Sequence, residues 1–386
     1  MKVLLLYVSD ISGHKQAARA IAQTFQQEYP SVIVREENLF RHGNPFIRCT
    51  LNSLYYAIIK LTPWFWNIIW DSKEVYWLTY LLRTLLYRMN YHRLYKEVIQ
   101  PFDPEVIICT HSLSCAICST IKYVMRLDYL LVAVPTDFYL HPYWFYKNVD
   151  MYFLPQNNSN LNYLKRKIPS EKLQVTGIPI SPEFSKVKEK SYLQEKWQVR
   201  KDLFTILIMG GGQGLGAIKE IVFALKDIKL PVQVLVVTGI NRNLKKNLSK
   251  IKSKLNFPFK VLGYVREIDE LMEISDVLIT KPGGLTVAEA LSKGLPMGVI
   301  DSIAGQEMRN KKFLLERGLA FNLESAKNVV PLIRRLVNGN FDRKTWKEKM
   351  TKLARPQASQ EIVHKVVSMI KERRKERENA VPRSSH

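Results

Sequence analysis

A chain of 386 residues that is 46% hydrophobic and 24% charged has enough apolar material for two domain cores. Its ordinary glycine and proline usage excludes collagen-like and low-complexity chains. The unusual figure is a formal net charge of +23, which predicts attraction to a polyanion, either nucleic acid or an anionic membrane surface.

The charge is uneven: residues 1–185 carry a net +5 and the remainder +18. Aromatics concentrate in the first half instead, with Trp64, Trp66, Trp70 and Trp77 inside fourteen residues. Four cysteines exclude a disulfide framework in a chain of this length. Cys115 and Cys118 have redox or metal spacing, but no second pair follows and no acidic ligand joins them, so they read as small buried residues. The chain opens on a strand pattern with no signal-peptide features, which predicts a cytoplasmic protein. Leu61 to Trp70, the longest uncharged apolar stretch of interest, is about half of what a membrane-spanning helix needs.

Lys2 to Ser9 has the apolar run of a buried parallel strand. Ser12-Gly13-His14 follows, and the spacing of Ala17, Ala18, Ala20, Ile21, Ala22 and Phe25 is helical. Ser31–Asn38, Glu105–Thr110, Leu130–Val134 and Asp150–Leu154 read as further strands. An aromatic, basic insertion of helical pattern, Pro45–Gln100, interrupts this alternation. The charged, strandless stretch Ser185–Lys201 reads as an interdomain linker. A second alternation starts with a strand at Phe204–Met209 and a helix at Gly214–Leu225. Strands at Val232–Thr238, Phe259–Leu262, Asp276–Thr280 and Pro296–Ile300 follow, with helices at Glu267–Glu273 and Thr286–Lys293. From Val329 the chain is helical and basic, and Ala380–His386 lacks structural pattern. These patterns predict an α/β protein of two doubly wound domains facing a cleft: 1–185 with the insertion at 45–100, then 202–340, then a basic helical tail over 341–386.

Three strand-to-helix junctions of the second domain carry ligand-type residues. Gly210-Gly211-Gly212-Gln213-Gly214 allows close backbone approach to an anion such as a pyrophosphate, and no Walker lysine follows it. Thr280-Lys281-Pro282-Gly283-Gly284-Leu285-Thr286 leads into Glu289, a carboxylate one turn inside a helix that could accept hydrogen bonds from a ribose diol. Ala304-Gly305-Gln306-Glu307 with Asn310 supplies hydroxyl-binding groups suited to a sugar. Each taken alone permits a packing explanation; their convergence on one sheet edge favours a ligand pocket.

With Ser9-Asp10-x-Ser12-Gly13-His14, Phe102-x-Pro104-x-Val106-Ile107-Ile108-x-Thr110-His111, Pro135-Thr136-Asp137-Phe138-x-x-His141-x-x-Trp144 and Val175-Thr176-Gly177-Ile178-Pro179-Ile180, the three junctions complete a recognisable order. Over residues 1–370 the chain resembles the monogalactosyldiacylglycerol synthase and bacterial diacylglycerol β-glucosyltransferase family, relatives of the lipid-II-forming N-acetylglucosaminyltransferase. The resemblance implies the GT-B architecture, a UDP-hexose donor in the second domain and a diacylglycerol acceptor in the first. It carries the pyrophosphate onto Gly211, Gly212 and Gly214, with Thr286 helping to hold phosphate and Pro282, Gly283 and Gly284 as further donor-binding residues. The uracil falls on the backbone at Gly263, Tyr264 and Val265, the ribose at Glu289, and the hexose at Gln306 and Glu307, with Asn310 a further donor-side candidate by residue type.

It also implies an inverting displacement with His14 as general base, while Asp137 is either the base itself or the group that orients and charges His14. No Asp-x-Asp motif appears, so no metal or other cofactor is expected. His111 reads as a structural hydrogen-bonding residue. Gly13, His141 and Trp144, with Trp64 and Trp66 of the insertion, are the acceptor-side candidates. Glucose is favoured over galactose, a polyprenyl-linked acceptor being the alternative. A nucleic-acid role fits the charge but finds no helix-turn-helix, zinc finger or aromatic-studded strand motif. The charge and the aromatic insertion instead predict a peripheral enzyme docked on anionic lipid at the cytoplasmic face of the membrane.

Overall fold

The computed structural model describes residues 1–42, 91–157, 168–300, 305–339 and 341–380. Trp64, Trp66 and most of the aromatic insertion, together with the last six residues, lie outside the described residues. Two six-stranded sheets, all parallel, organise the described residues.

The first sheet has the order β2-β1-β3-β4-β5-β6, with β1 Lys2–Tyr7, β2 Ile33–Asn38, β3 Val106–Cys109, β4 Leu130–Ala133, β5 Met151–Leu154 and β6 Leu173–Val175. β1 shows why: it is apolar from Val3 onward, and alternate side chains serve opposite faces of the sheet. Leu4 and Leu6 enter one core with Ile107 and Leu131, while Val3 and Leu5 enter the other with Ile21 and Phe25 of helix α1, Gly13–Glu28. The second sheet runs β12-β11-β10-β7-β8-β9, from β7 Phe204–Met209, β8 Val232–Val237, β9 Phe259–Leu262, β10 Val277–Thr280, β11 Met297–Ile300 and β12 Phe321–Leu323. Counted within its own domain this is the 3-2-1-4-5-6 order of a dinucleotide-binding fold. The two edge strands β6 and β12, three residues each, are the ones that sequence pattern does not anticipate.

The stretch expected as a linker contains the helix Lys190–Lys196 and is fastened to the second domain. Leu193 and Val199 join its core, and Lys188 bonds Asp269 at 2.6 Å. The carboxyl end is no separate tail. The chain crosses back beside the segment that leaves the first domain, where Ser359 Oγ donates to the Ile180 carbonyl at 2.8 Å. The helix Ala358–Ala380 then lays Ile362, Val363, Val366, Val367 and Ile370 into the first domain's core, because its apolar residues recur at helical spacing on one face. Its basic end is tied down as well: Arg374 pairs with Glu105 at 2.6 Å, and Arg373 and Arg377 both pair with Asp128. Part of the carboxyl-terminal charge is thus spent within the fold.

Candidate active site

Both sheets reverse strand order beside their first strand, between β1 and β3 in one domain and between β7 and β10 in the other. In open α/β sheets the carboxyl ends of strands at such a point form a crevice. Here the two crevices face each other and bound a cavity of ≈ 430 Å³.

On the first wall, Ser12 caps α1: its Oγ accepts from the Lys15 N–H at 3.3 Å and donates to the Val8 and Ser9 carbonyls at 2.9 Å. This cap fixes Gly13 and His14 in the first helical turn, on the cleft. His14 Nδ1 lies 2.9 Å from the Thr110 carbonyl and 2.8 Å from the Thr136 hydroxyl. A carbonyl can only accept, so Nδ1 carries the proton and Nε2 holds the lone pair of the neutral ring. Burial holds the His14 pKa below the ordinary histidine value, against an opposing pull from the charge of Asp137. Asp137 is pushed upward by burial, opposed by His14, by a hydrogen bond from Asn310 and by Lys281.

His111 stacks edge-on against His14 with ring centroids 4.6 Å apart. Its Nδ1 accepts the Leu113 N–H at 3.0 Å and so caps the helix Ser112–Val124; burial, then the charge of His14, keep its pKa well down.

On the second wall, Gly211 at φ +68° turns the backbone after β7, and Gly211 and Gly212 line the cleft. The following helix starts only at Ile218, because Gly210 and Gly211 close a turn by accepting from the Leu215 and Gly214 N–H groups. The turn itself therefore presents the amides, and Gly214 packs away from the cleft against Thr238. After β10, Gly283 caps a helix of ten residues, Gly284–Lys293, which brings Gly284, Thr286 and Glu289 to the cleft. Burial, then the charge of Asp269, push Glu289 up to about 8. Gln306 and Glu307 open the helix Gln306–Glu316, and Tyr264 and Val265 close the far end.

Several expected residues lie elsewhere. Gly263 sits behind the cleft-lining Tyr264 and Val265, and Pro282 is buried with its carbonyl turned to Asn310. Asn310 is itself fully buried, with its amide bonded to protein groups, so it does not reach the cleft. His141 and Trp144 are 4% and 5% exposed. The short turn Pro142–Trp144 folds them inward: Trp144 packs with Cys115 and Cys118, and His141 stacks on Tyr143 at 4.4 Å. Cys109, Cys115 and Cys118 are all buried in that same core.

Three contributors were not singled out from sequence. Thr110 and Thr136 hold His14 from the loops that follow β3 and β4, far away in sequence, which no local pattern reveals. Lys281 stands beside Gly211 and pairs with Glu307 at 2.5 Å; its signal was a lysine next to a glycine pair at a strand end. Among the described residues no group of His, Cys, Asp and Glu is arranged to hold a metal ion, and no helix is long and apolar enough to cross a membrane.

Comparison with known proteins matches this two-walled arrangement domain by domain. Residues 14–180 match the monogalactosyldiacylglycerol (MGDG) synthase model, and residues 205–367 the glycosyltransferase family 28 C-terminal domain. The processive diacylglycerol beta-glucosyltransferase of Bacillus pumilus (strain SAFR-032) is 30% identical over 376 residues, 95% of this chain and 94% of the relative. That of Bacillus mycoides (strain KBAB4) is 29% identical over 95% and 93%. Among solved structures, Acinetobacter baumannii MurG superposes with a TM-score of 0.60 at 14% identity, covering 95% of this chain and all of that one. Anabaena HepE in complex with UDP-glucose gives 0.56 at 15% identity, with the same coverage. The fold is thus GT-B, and over nearly its whole length the chain belongs to the family of the diacylglycerol beta-glucosyltransferases.

Proposed function

We propose that the protein transfers glucose from UDP-glucose to the free hydroxyl of 1,2-diacylglycerol, with inversion to a β-glucoside. The observation that carries this reading is the cleft itself. A histidine with one nitrogen committed to a carbonyl stands on one wall, facing glycine-turn amides, Lys281, Glu289, Gln306 and Glu307 on the other. The donor's hexose, diphosphate and nucleoside need hydroxyl acceptors, N–H donors and a diol-binding carboxylate respectively, and the second wall supplies one of each.

In the reaction, the acceptor oxygen bonds the anomeric carbon as the bond from that carbon to the β-phosphate oxygen breaks. The proton leaving the hydroxyl passes to Nε2 of His14, and the electron pair of the broken bond leaves with UDP. The imidazolium formed is stabilised through space by Asp137, which is close enough to act on the His14 pKa. Charge growing on the diphosphate meets the amides of the Gly211–Gly212 turn, the amino end of the helix Gly284–Lys293 and Lys281. Gly13 borders the acceptor side.

A lipid acceptor requires work at a membrane surface, and the +23 excess would draw the protein to anionic lipid as a peripheral enzyme. The test is incubation with diacylglycerol vesicles and either UDP-glucose or UDP-galactose, followed by mass and sugar analysis of the lipids. A β-glucosyl diacylglycerol is the expected product; galactolipid alone would reassign the donor, and no glycolipid from either would overturn the reading. Binding to anionic liposomes that salt reverses, without comparable binding to DNA, checks the surface.

A further inference from the structure

We propose that Asn310 is a positioning residue through which the donor domain holds Asp137 in place beside His14, so that the catalytic wall is complete only when the two domains are docked. This rests on the reading of the cleft as a transfer site, and it assigns Asn310 a role different from the sugar contact that residue type alone suggests.

Asn310 lies on the second domain's helix Gln306–Glu316 and is 0% exposed. Its side-chain orientation is fixed by its partners. The Phe138 N–H can only donate, and it points at Oδ1 from 3.0 Å. The Pro282 carbonyl can only accept, and Nδ2 lies 3.1 Å from it. The second N–H of Nδ2 goes to Asp137 Oδ1 at 3.0 Å. Both amide hydrogens are therefore committed, one to the donor loop and one to the carboxylate of the opposite domain, and none is left for a ligand hydroxyl.

The surroundings make this contact a joint between domains. Phe138 leaves the first domain and enters the second domain's core, where its ring stacks on Phe313 at 4.7 Å and 12°, one helical turn beyond Asn310. Against that same loop, Gly284 at the start of the second domain's helix Gly284–Lys293 sits so close to Thr136 that a Cβ there would lie 2.0 Å from its carbonyl oxygen. Asn310 thus joins three things: the loop holding Asp137, the donor loop at Pro282, and the helix whose first turn carries Gln306 and Glu307. A buried amide with three well-placed partners is stiff, because any shift leaves buried polar groups unpaired. A carboxylate held this way is aligned by the donor half of the molecule and would drift if the halves parted.

The test is a double-mutant cycle between Asn310→Leu and Asp137→Asn, with the full chain, UDP-glucose and diacylglycerol vesicles. Asn310→Leu alone should lower kcat by about 10- to 100-fold with the KM for UDP-glucose changed less than about threefold. In the Asp137→Asn background the same change should alter the residual kcat by less than about threefold, since the group it acts through is gone. Equal losses in both backgrounds, or a raised donor KM with kcat kept, would overturn the proposal in favour of plain packing or a sugar contact. Should Asn310→Leu fail to fold by thermal unfolding and UDP binding, Asn310→Ser is carried through the same cycle. Hydrogen exchange at the Phe138 amide reads the joint without the reaction: faster exchange in the variant is expected, and unchanged protection would sink the idea. If the wild-type chain makes no glycolipid, the functional reading fails, while the exchange measurement still decides whether Asn310 holds this loop.

Discussion

His14 Nδ1 and the carbonyl oxygen of Thr110 lie 2.9 Å apart across 96 residues of sequence. They meet because β1 and β3 are neighbours at the point where the first sheet reverses. The contact fixes a tautomer and leaves Nε2 as the basic nitrogen in the cleft. His14→Ala should reduce transfer by about 10²- to 10⁴-fold, the usual span for a general base, with UDP binding and thermal stability close to wild type. Full activity in that variant would remove the base assignment.

The pH profile carries a second sign. Burial lowers the His14 pKa and Asp137 raises it. The base is active when neutral, so activity should persist below the pH at which an ordinary histidine protonates. Replacing Asp137 by Asn removes the charge that favours imidazolium, so His14 should hold its proton less tightly. The acidic limb of kcat/KM then moves to lower pH even as the maximum rate falls. An upward move would contradict the coupling.

How much of this was legible beforehand follows from what a linear sequence encodes. Parallel strands buried on both faces read as nearly continuous apolar runs, so β1, β3, β7 and β8 stand out, and two alternating series of strand and helix imply the two domains. The three-residue edge strands β6 and β12 have too little length for a pattern. Glycine pairs at strand ends located the donor wall, yet residue type says nothing of direction. Asn310, His141 and Trp144 have the right chemistry for a ligand and point into protein. The hydrogen-bond partners of His14 could not be read either, since Thr136 is 122 residues away and only the sheet order brings it near. The carboxyl-terminal run of charge reads as a solvated tail until the fold sets Asp128 and Glu105 opposite its arginines.

Gly284→Ala tests whether the observed docking of the domains is needed for transfer. The added methyl would meet the Thr136 carbonyl oxygen at 2.0 Å and the Asp137 Cα at 3.0 Å, both backbone atoms that cannot rotate aside. The loop must retreat, at a cost of about 1–3 kcal/mol for overpacking, and the walls separate. Transfer should fall at least about tenfold while uridine binding, which needs only the second domain, holds within a few-fold. Equal effects on both would mean that the variant damages the donor domain instead.

Lys281 pairs with Glu307 at 2.5 Å, both side chains about a quarter exposed. An ion pair this close to solvent contributes at most about 1 kcal/mol, so exchanging it for a diphosphate is cheap. With the donor bound, Lys281 can neutralise the leaving group and free Glu307 for the hexose. Lys281→Met should lower kcat by about 10²-fold or more, as for other groups that meet charge developing in the transition state. Unchanged kcat with only a weaker donor KM would confine Lys281 to ground-state binding.

Glu289 offers a test with a sign fixed by its surroundings. Burial, then Asp269, push its pKa up to about 8, so near neutral pH the unliganded carboxyl is mostly protonated. Two ribose hydroxyls donating to it would stabilise the carboxylate and pull that pKa down. Ligand binding must then release a proton wherever the free group is protonated and the bound group is not. Affinity should accordingly rise with pH, by up to about tenfold per unit, and level off above about 8. Uridine is the proper probe, because the phosphates of UDP titrate in the same range and would mask the effect. Calorimetry at pH 7 in two buffers of different ionisation enthalpy should report release of up to one proton per uridine bound. Glu289→Gln should bind uridine with no such release, and its deficit relative to wild type should be largest at pH 8 and above, where the native carboxylate is fully formed. A wild-type affinity that does not change between pH 6 and 9 would mean that the diol sits elsewhere in the cleft.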